Sequence, residues 1–152
     1  MVLTLDKNQI LEFQQNRDPY LMIDSATKVV PGKSAEGFKE LSKNEWFFQV
    51  HWPDDPNMPG MLQVEALVQM ASLSILTLPN NKGKIMYLTS ADKLSFKKKI
   101  IPNSKFEIVT EVIMWKRGMG KFKGTGLVNG EICCNAEFSL ILPDEIKMFK
   151  VK

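Results

Sequence analysis

MLQVEALVQMASLSILTL, Met61 to Leu78, is the stretch whose reading decides how this chain folds. Apolar residues lie almost all round a helix drawn through it, the signature of a helix enclosed by the rest of the protein rather than one resting on its surface. Gln63, Glu65, Gln69, Ser72, Ser74 and Thr77 interrupt the run, which argues against a membrane span. Pro53, Pro56, Pro59 and Gly60 crowd the approach, so the chain must follow an irregular path into the helix, and Pro79-Asn80-Asn81 ends it.

Working outward, the segments Ile85–Phe96, Phe106–Lys116 and Lys121–Leu142 are strand-like, and Asn129-Gly130 breaks the last into a hairpin, which makes four strands. Upstream, Tyr20–Val30 reads as a strand that stops at Pro31-Gly32, with Lys33–Leu41 returning as its partner. Asp6 to Gln14 fits a short amphipathic surface helix capped by Thr4 or Asp6. Ser42-Lys43-Asn44-Glu45 matches a capping box that would start a helical turn over Trp46–Gln49. One long helix among about six strands excludes a doubly wound sheet, which needs alternating helices and strands. It predicts an α+β fold, an antiparallel sheet wrapped around a central helix, in one domain over residues 1–152.

Composition narrows the function classes. With 44% hydrophobic and 24% charged residues, the 152-residue chain has the make-up of a soluble globular protein. The N-terminal MVLTLDKNQILEF lacks the pattern of a secretory leader, so a cytoplasmic location is expected. A formal charge of +3 is too small to imply a nucleic-acid partner, although Lys97, Lys98 and Lys99 form a local basic run that could meet an acidic partner or could be a solvated edge. Cys133 and Cys134 are the only cysteines; neighbours in a strand face opposite ways, so neither a routine disulfide nor a metal site is expected, and no cofactor is implied.

Three features carry chemical potential. His51 is the sole histidine, so imidazole proton transfer near neutral pH falls to it alone; a packed or surface histidine is the plainer reading. Glu65 shares a helix with Met61, Leu62 and Val68. Withdrawn from water, its carboxyl would be raised in pKa and suited to donate a proton; it could equally be exposed beside Gln69 near the helix start. Met58-Pro59-Gly60 opens the helix where the first amides have no internal partners, a place for a carbonyl gathering negative charge or simply a stop-and-start signal.

The run FFQVHWPDDPNMPGMLQVEALVQMA, Phe47 to Ala71, resembles the signature of FabZ-type β-hydroxyacyl-acyl carrier protein dehydratases, approximately FxGHFPGxPxMPGxLxxEAxxQ. The spacing from His51 through Met58-Pro59-Gly60 to Glu65 is preserved without a gap. NRDPYLMID, Asn16 to Asp24, resembles the family's HRYPFLLID, and KLSFKKKIIPNSKFEI, Lys93 to Ile108, resembles its KFRxPVxPGDxL. Several short motifs in family order are far more specific than any one alone.

The resemblance implies a hot-dog fold with Met61–Leu78 as its central helix. It implies a homodimer, often a trimer of dimers, whose active site joins the histidine of one subunit to the glutamate of the other. His51 and Glu65 would be the catalytic pair, the Gly60 amide would bind the thioester oxygen, and Met61, Gln69 and Trp52 would contact substrate. Lys97, Lys98 and Lys99, with Arg17, would face an acidic acyl carrier protein. Glutamate at position 65 separates the chain from the FabA-type isomerising relatives, which carry aspartate there. Val50 for glycine, Trp52 for phenylalanine, Asp54 for glycine, Asn16 for histidine and Pro102-Asn103-Ser104 for Pro-Gly-Asp depart from the pattern; they suggest an altered loop, with positive φ denied at Val50, and a reshaped tunnel. A hot-dog thioesterase and a catalytically silent acyl-binding protein are the other functions this fold could carry.

Overall fold

A computed structural model of the chain describes residues 1–149. In chain order its elements are β1 (Leu3–Leu5), α1 (Lys7–Phe13), β2 (Ser25–Val30), β3 (Ser34–Leu41), α2 (Trp46–Val50) and α3 (Gly60–Leu76). β4 (Tyr87–Phe96), β5 (Ser104–Lys116), β6 (Met119–Val128), β7 (Glu131–Ile141) and α4 (Pro143–Met148) follow. All strands join one antiparallel sheet in the order β1-β2-β3-β5-β6-β7-β4.

Turn chemistry sets the tight hairpins, two of which show it plainly. Gly32 takes φ +78° between Val30 and Ser34, and its amide also bonds the Ser74 carbonyl at 2.7 Å, tying the turn to α3. Asn129 and Gly130 both adopt positive φ, +51° and +77°, between paired Val128 and Glu131, the conformation a two-residue hairpin of right-handed twist requires. Asp6 and Gln9 make a reciprocal capping box at the start of α1, whose Ile10 is fully buried while most of its other residues face outward.

α3 lies against one face of the sheet, packing on β2, β3, β5, β6 and β7. Ala66, Leu67, Met70, Ala71 and Leu73 on the helix are buried together with Phe106, Ile108, Phe122, Phe138 and Leu140 on the strands. Each such large side chain removed from water stabilises the fold by about 1.5–3 kcal/mol.

The seven strands are the six or so expected plus β1, whose three residues are too short to show a sequence period. Three expectations need correction. The paired part of the segment read as a strand from Tyr20 begins only at Ser25. Leu21, Met22 and Ile23 are apolar because they are buried, and Gln69 supplies hydrogen bonds there, accepting from the Met22 amide (2.7 Å) and donating to the Tyr20 carbonyl (2.9 Å). Ser42 caps no helix: its hydroxyl accepts from the Asn44 amide, while Glu45, the residue before α2, pairs its carboxylate with buried Lys39 at 3.3 Å. α3 also starts one residue earlier and stops two earlier than read. Helix α4 was not anticipated. Cys133 and Cys134 are free, and both are buried.

At Gly37, on β3, an added methyl would overlap the Ser25 carbonyl oxygen and lie 2.6 Å from Met70 Cε. Gly37→Ala is therefore expected to destabilise by about 1–3 kcal/mol. In urea the unfolding midpoint should fall with little change in slope.

Candidate active site

His51 follows directly from α2. Its backbone amide closes that helix on the Phe47 carbonyl (2.9 Å), and its Nδ1 lies 3.0 Å from the Asn57 carbonyl oxygen. A carbonyl can only accept, so the contact requires the proton on Nδ1 and leaves the Nε2 lone pair free to act as a base. The loop that supplies the carbonyl is itself held in place. The Asp55 amide bonds Trp52 O (2.8 Å), Asn57 Nδ2 bonds Asp55 O (2.8 Å), and the Met58 amide bonds Ile100 O (2.8 Å). Lys99 adds an ion pair to both Asp55 oxygens, at 2.8 and 2.9 Å.

Glu65 is half-buried on α3, and burial raises its carboxyl above the ordinary value, although a hydrogen bond from Gln69 pulls the other way. Gln69 Nε2 donates to Glu65 Oε1 (2.9 Å) and to Tyr20 O, while Gln69 Oε1 accepts from Met22 N. Both N–H groups of the Gln69 amide are thus engaged, and the side chain orients Glu65 against the Tyr20–Met22 segment. Tyr20 and Met22, which act through backbone atoms, could not have been found from side-chain type. Glu65 opens into a groove of ≈ 240 Å³ bordered by Asn16, Gln69, Ser72, Met86 and Leu88.

At the helix start the Leu62 and Gln63 amides both bond the Pro59 carbonyl (3.0 Å each), leaving those of Gly60 and Met61 ahead of the first intrahelical bond. Gly60 borders a different groove, of ≈ 390 Å³, with Asn57, Gln63, Phe96 and Lys97–Lys99. Residues five apart lie about 140° apart around a helix, so Gly60 and Glu65 look in different directions. Within one chain, the oxyanion-type amide and the candidate acid do not share a groove.

The other expected contacts divide. Met61 is exposed on the first turn, and Trp52 is 65% exposed with its ring 5.8 Å from that of His51. Val50 ends α2 in helical conformation; the positive φ falls on Trp52 (+58°) instead, a conformation that strains a bulky residue. Asn103, where the family pattern has glycine, also takes positive φ (+63°), which asparagine tolerates. Lys98 is paired with Glu131 and Lys99 with Asp55, so part of the basic run is already neutralised. The Arg17 guanidinium donates to the carbonyls of Leu11, Gln14 and Asn16, closing the end of α1. Among the described residues no helix is long and apolar enough to cross a membrane.

Because its folded-state pKa is raised, Glu65 keeps a proton that the unfolded chain has released, so between the ordinary and the raised value stability falls as pH rises. Glu65→Gln, whose amide oxygen can still accept from Gln69, is expected to gain stability relative to the parent as pH climbs through that window. Urea titrations at mildly acidic and mildly alkaline pH check the sign.

A FabA-like domain profile matches residues 15–137. The 3-hydroxyacyl-[acyl-carrier-protein] dehydratase FabZ of Bacillus licheniformis is 38% identical over 141 residues, covering 93% of this chain and 98% of that protein. FabZ of Bacillus subtilis is 37% identical over 138 residues, covering 91% and 98%. Among solved structures, the dehydratase heterocomplex ApeI:P from Xenorhabdus doucetiae superposes with a TM-score of 0.75 at 12% identity, covering 94% of this chain and 97% of that one. A hypothetical thioesterase with coenzyme A from Streptococcus pneumoniae superposes at 0.58 with 13% identity, covering 74% and 80%. At such identities the structures speak for the hot-dog fold alone, whereas the FabZ sequences match over nearly their whole length. The chain belongs to the FabZ family of 3-hydroxyacyl-[acyl-carrier-protein] dehydratases.

Proposed function

We propose that the chain is a hydro-lyase that removes water from 3-hydroxyacyl thioesters on acyl carrier protein, giving trans-2-enoyl thioesters in fatty acid or related acyl-chain synthesis. The observation that carries this reading is that the chain holds both a base and an acid at the motif's spacing: His51, whose Nε2 lone pair is free, and Glu65, whose half-buried carboxyl is raised in pKa. His51 Nε2 takes the proton next to the thioester carbonyl, and the released pair becomes the new carbon-carbon double bond. The bond to the β-hydroxyl breaks as Glu65 gives it a proton, so water leaves. A proton passing from the imidazolium to the carboxylate, through solvent, restores the pair. Meanwhile the Gly60 amide holds the thioester oxygen as negative charge collects there, a contact worth about 3 kcal/mol.

The glutamate comes from a second copy of the chain. Support lies in the 140° or so between Gly60 and Glu65 on α3 and in edge strand β4. β4 pairs with β7 on one side only and exposes Tyr87, Leu88, Leu94 and Phe96, an edge that a second β4 can cover. A trimer of such dimers is the larger assembly. Lys97, without an ion pair among the described residues, and its neighbours Lys98 and Lys99 steer the acidic carrier to the groove beside Gly60. The free thiols of Cys133 and Cys134 suit the reducing cytoplasm.

Hydration of a crotonyl thioester, followed by loss of enoyl absorbance, tests the chemistry. His51→Ala and Glu65→Gln are each expected to lower turnover by about 10²–10⁴-fold while remaining folded. Mixing the two inactive variants under conditions of subunit exchange should restore activity that neither has alone; a mixture as inactive as its parts would place the pair within one chain.

A further inference from the structure

Among the described residues, one buried side-chain polar atom has no hydrogen-bond partner: Gln63 Oε1. Gln63 is 4% exposed, and an amide oxygen taken from water without a donor is costly enough that such atoms are rare in folded chains. Its orientation is chemically determined. Gln63 Nε2 lies 2.9 Å from the Met58 carbonyl, which can only accept, so the NH₂ end must face Met58 and the oxygen must face away. The residue borders the groove that also holds Gly60, Asn57, Phe96 and Lys97–Lys99, one helical turn from Gly60 and on the same side of α3.

We propose that Gln63 is a specificity-determining residue whose side-chain carbonyl accepts a hydrogen bond from the amide N–H on the thiol arm of the acyl thioester. The inference rests on the reading of Gly60 as the seat of the thioester oxygen. From that oxygen a substrate runs two ways. The acyl side must reach His51 and Glu65, neither of which borders this groove. The thiol side leads toward the lysines, which suit the phosphate that ends the arm of a carrier or coenzyme A thioester. Both arms carry an amide N–H one ethylene link from sulfur, and the spacing of adjacent turns, about 5–6 Å, matches that short link. The ring of Phe96, about half exposed, lies over Gly60: an added methyl there would stand 2.9 Å from its Cε1. An arm reaching the Gly60 amide therefore passes the Phe96 ring, and in doing so brings its N–H to an oxygen that has no partner among the described residues.

The test compares crotonyl thioesters of N-acetylcysteamine and of mercaptoethyl acetate, which differ by exchange of the arm's N–H for oxygen. The wild-type protein is expected to favour the amide arm about tenfold in kcat/KM, and Gln63→Leu and the closer-shaped Gln63→Met to turn over both thioesters alike. Each variant removes the unpartnered oxygen but also the bond from Gln63 Nε2 to the Met58 carbonyl, so circular dichroism and melting curves check that both remain folded under assay conditions. A wild type indifferent to the exchange, or a preference that survives in both variants, overturns the proposal; the latter would hand the N–H to another acceptor, including one on a second copy of the chain. Absence of turnover with either thioester would count against the dehydratase reading itself. In that event calorimetric binding of the saturated butyryl pair decides for Gln63: a preference for the amide arm that the variants lose supports it, and equal binding overturns it.

Discussion

Enclosing α3 in the sheet forces every polar group on that helix to find a partner or to be held for a ligand. Most are satisfied locally. The hydroxyls of Ser72, Ser74 and Thr77 donate back to the carbonyls of Gln69, Ala71 and Leu73, and Asn81 donates to the Ile75 carbonyl to close the far end. Gln69 is satisfied at longer range, by the backbone of Tyr20 and Met22. Two polar side chains stand outside this arrangement: Glu65, whose carboxyl is withdrawn from water with one amide for company, and Gln63, whose oxygen has none. In a helix otherwise this well satisfied, the exceptions are where substrate chemistry is to be sought.

The same helix separates the reacting groups. Its first amides and the loop bearing His51 meet on one side, while Glu65 opens on another. On the proposed reading a monomer therefore carries two half-sites, one around His51 and Gly60 and one around Glu65. Each is held in place: the His51 ring is fixed by Asn57, that loop is pinned to Ile100 and Lys99, and Glu65 is held by Gln69. If a second copy covers the exposed apolar residues of β4, as proposed, stability of the assembly and completion of the site become one requirement.

Much of this was legible in the sequence because it follows from short-range rules. All-round apolar character identified the central helix to within two residues, Asn129-Gly130 marked its hairpin, and motif spacing singled out His51, Gly60 and Glu65. What the sequence concealed was set by partners distant along the chain. Tyr20–Asp24 has a strand's composition, yet a glutamine 47 residues beyond Met22 satisfies its backbone. Ser42 and Glu45 have the spacing of a capping box, but Lys39 claims the carboxylate. Gln63 looked like any polar interruption of an apolar run, since nothing local reveals that its oxygen lacks a donor. The contacts of Arg17 and Gln69 with backbone carbonyls and amides were not legible, because such groups carry no sequence signal.

The most direct measurement is a crystal structure of the protein with an unreactive saturated acyl thioester bound. The thioester oxygen is expected on the Gly60 amide, with the acyl α-carbon facing His51 Nε2 of the same chain and the β-carbon facing the Glu65 carboxyl of a second copy. A ligand held between His51 and Glu65 of one chain, or one seated away from Gly60, would contradict it.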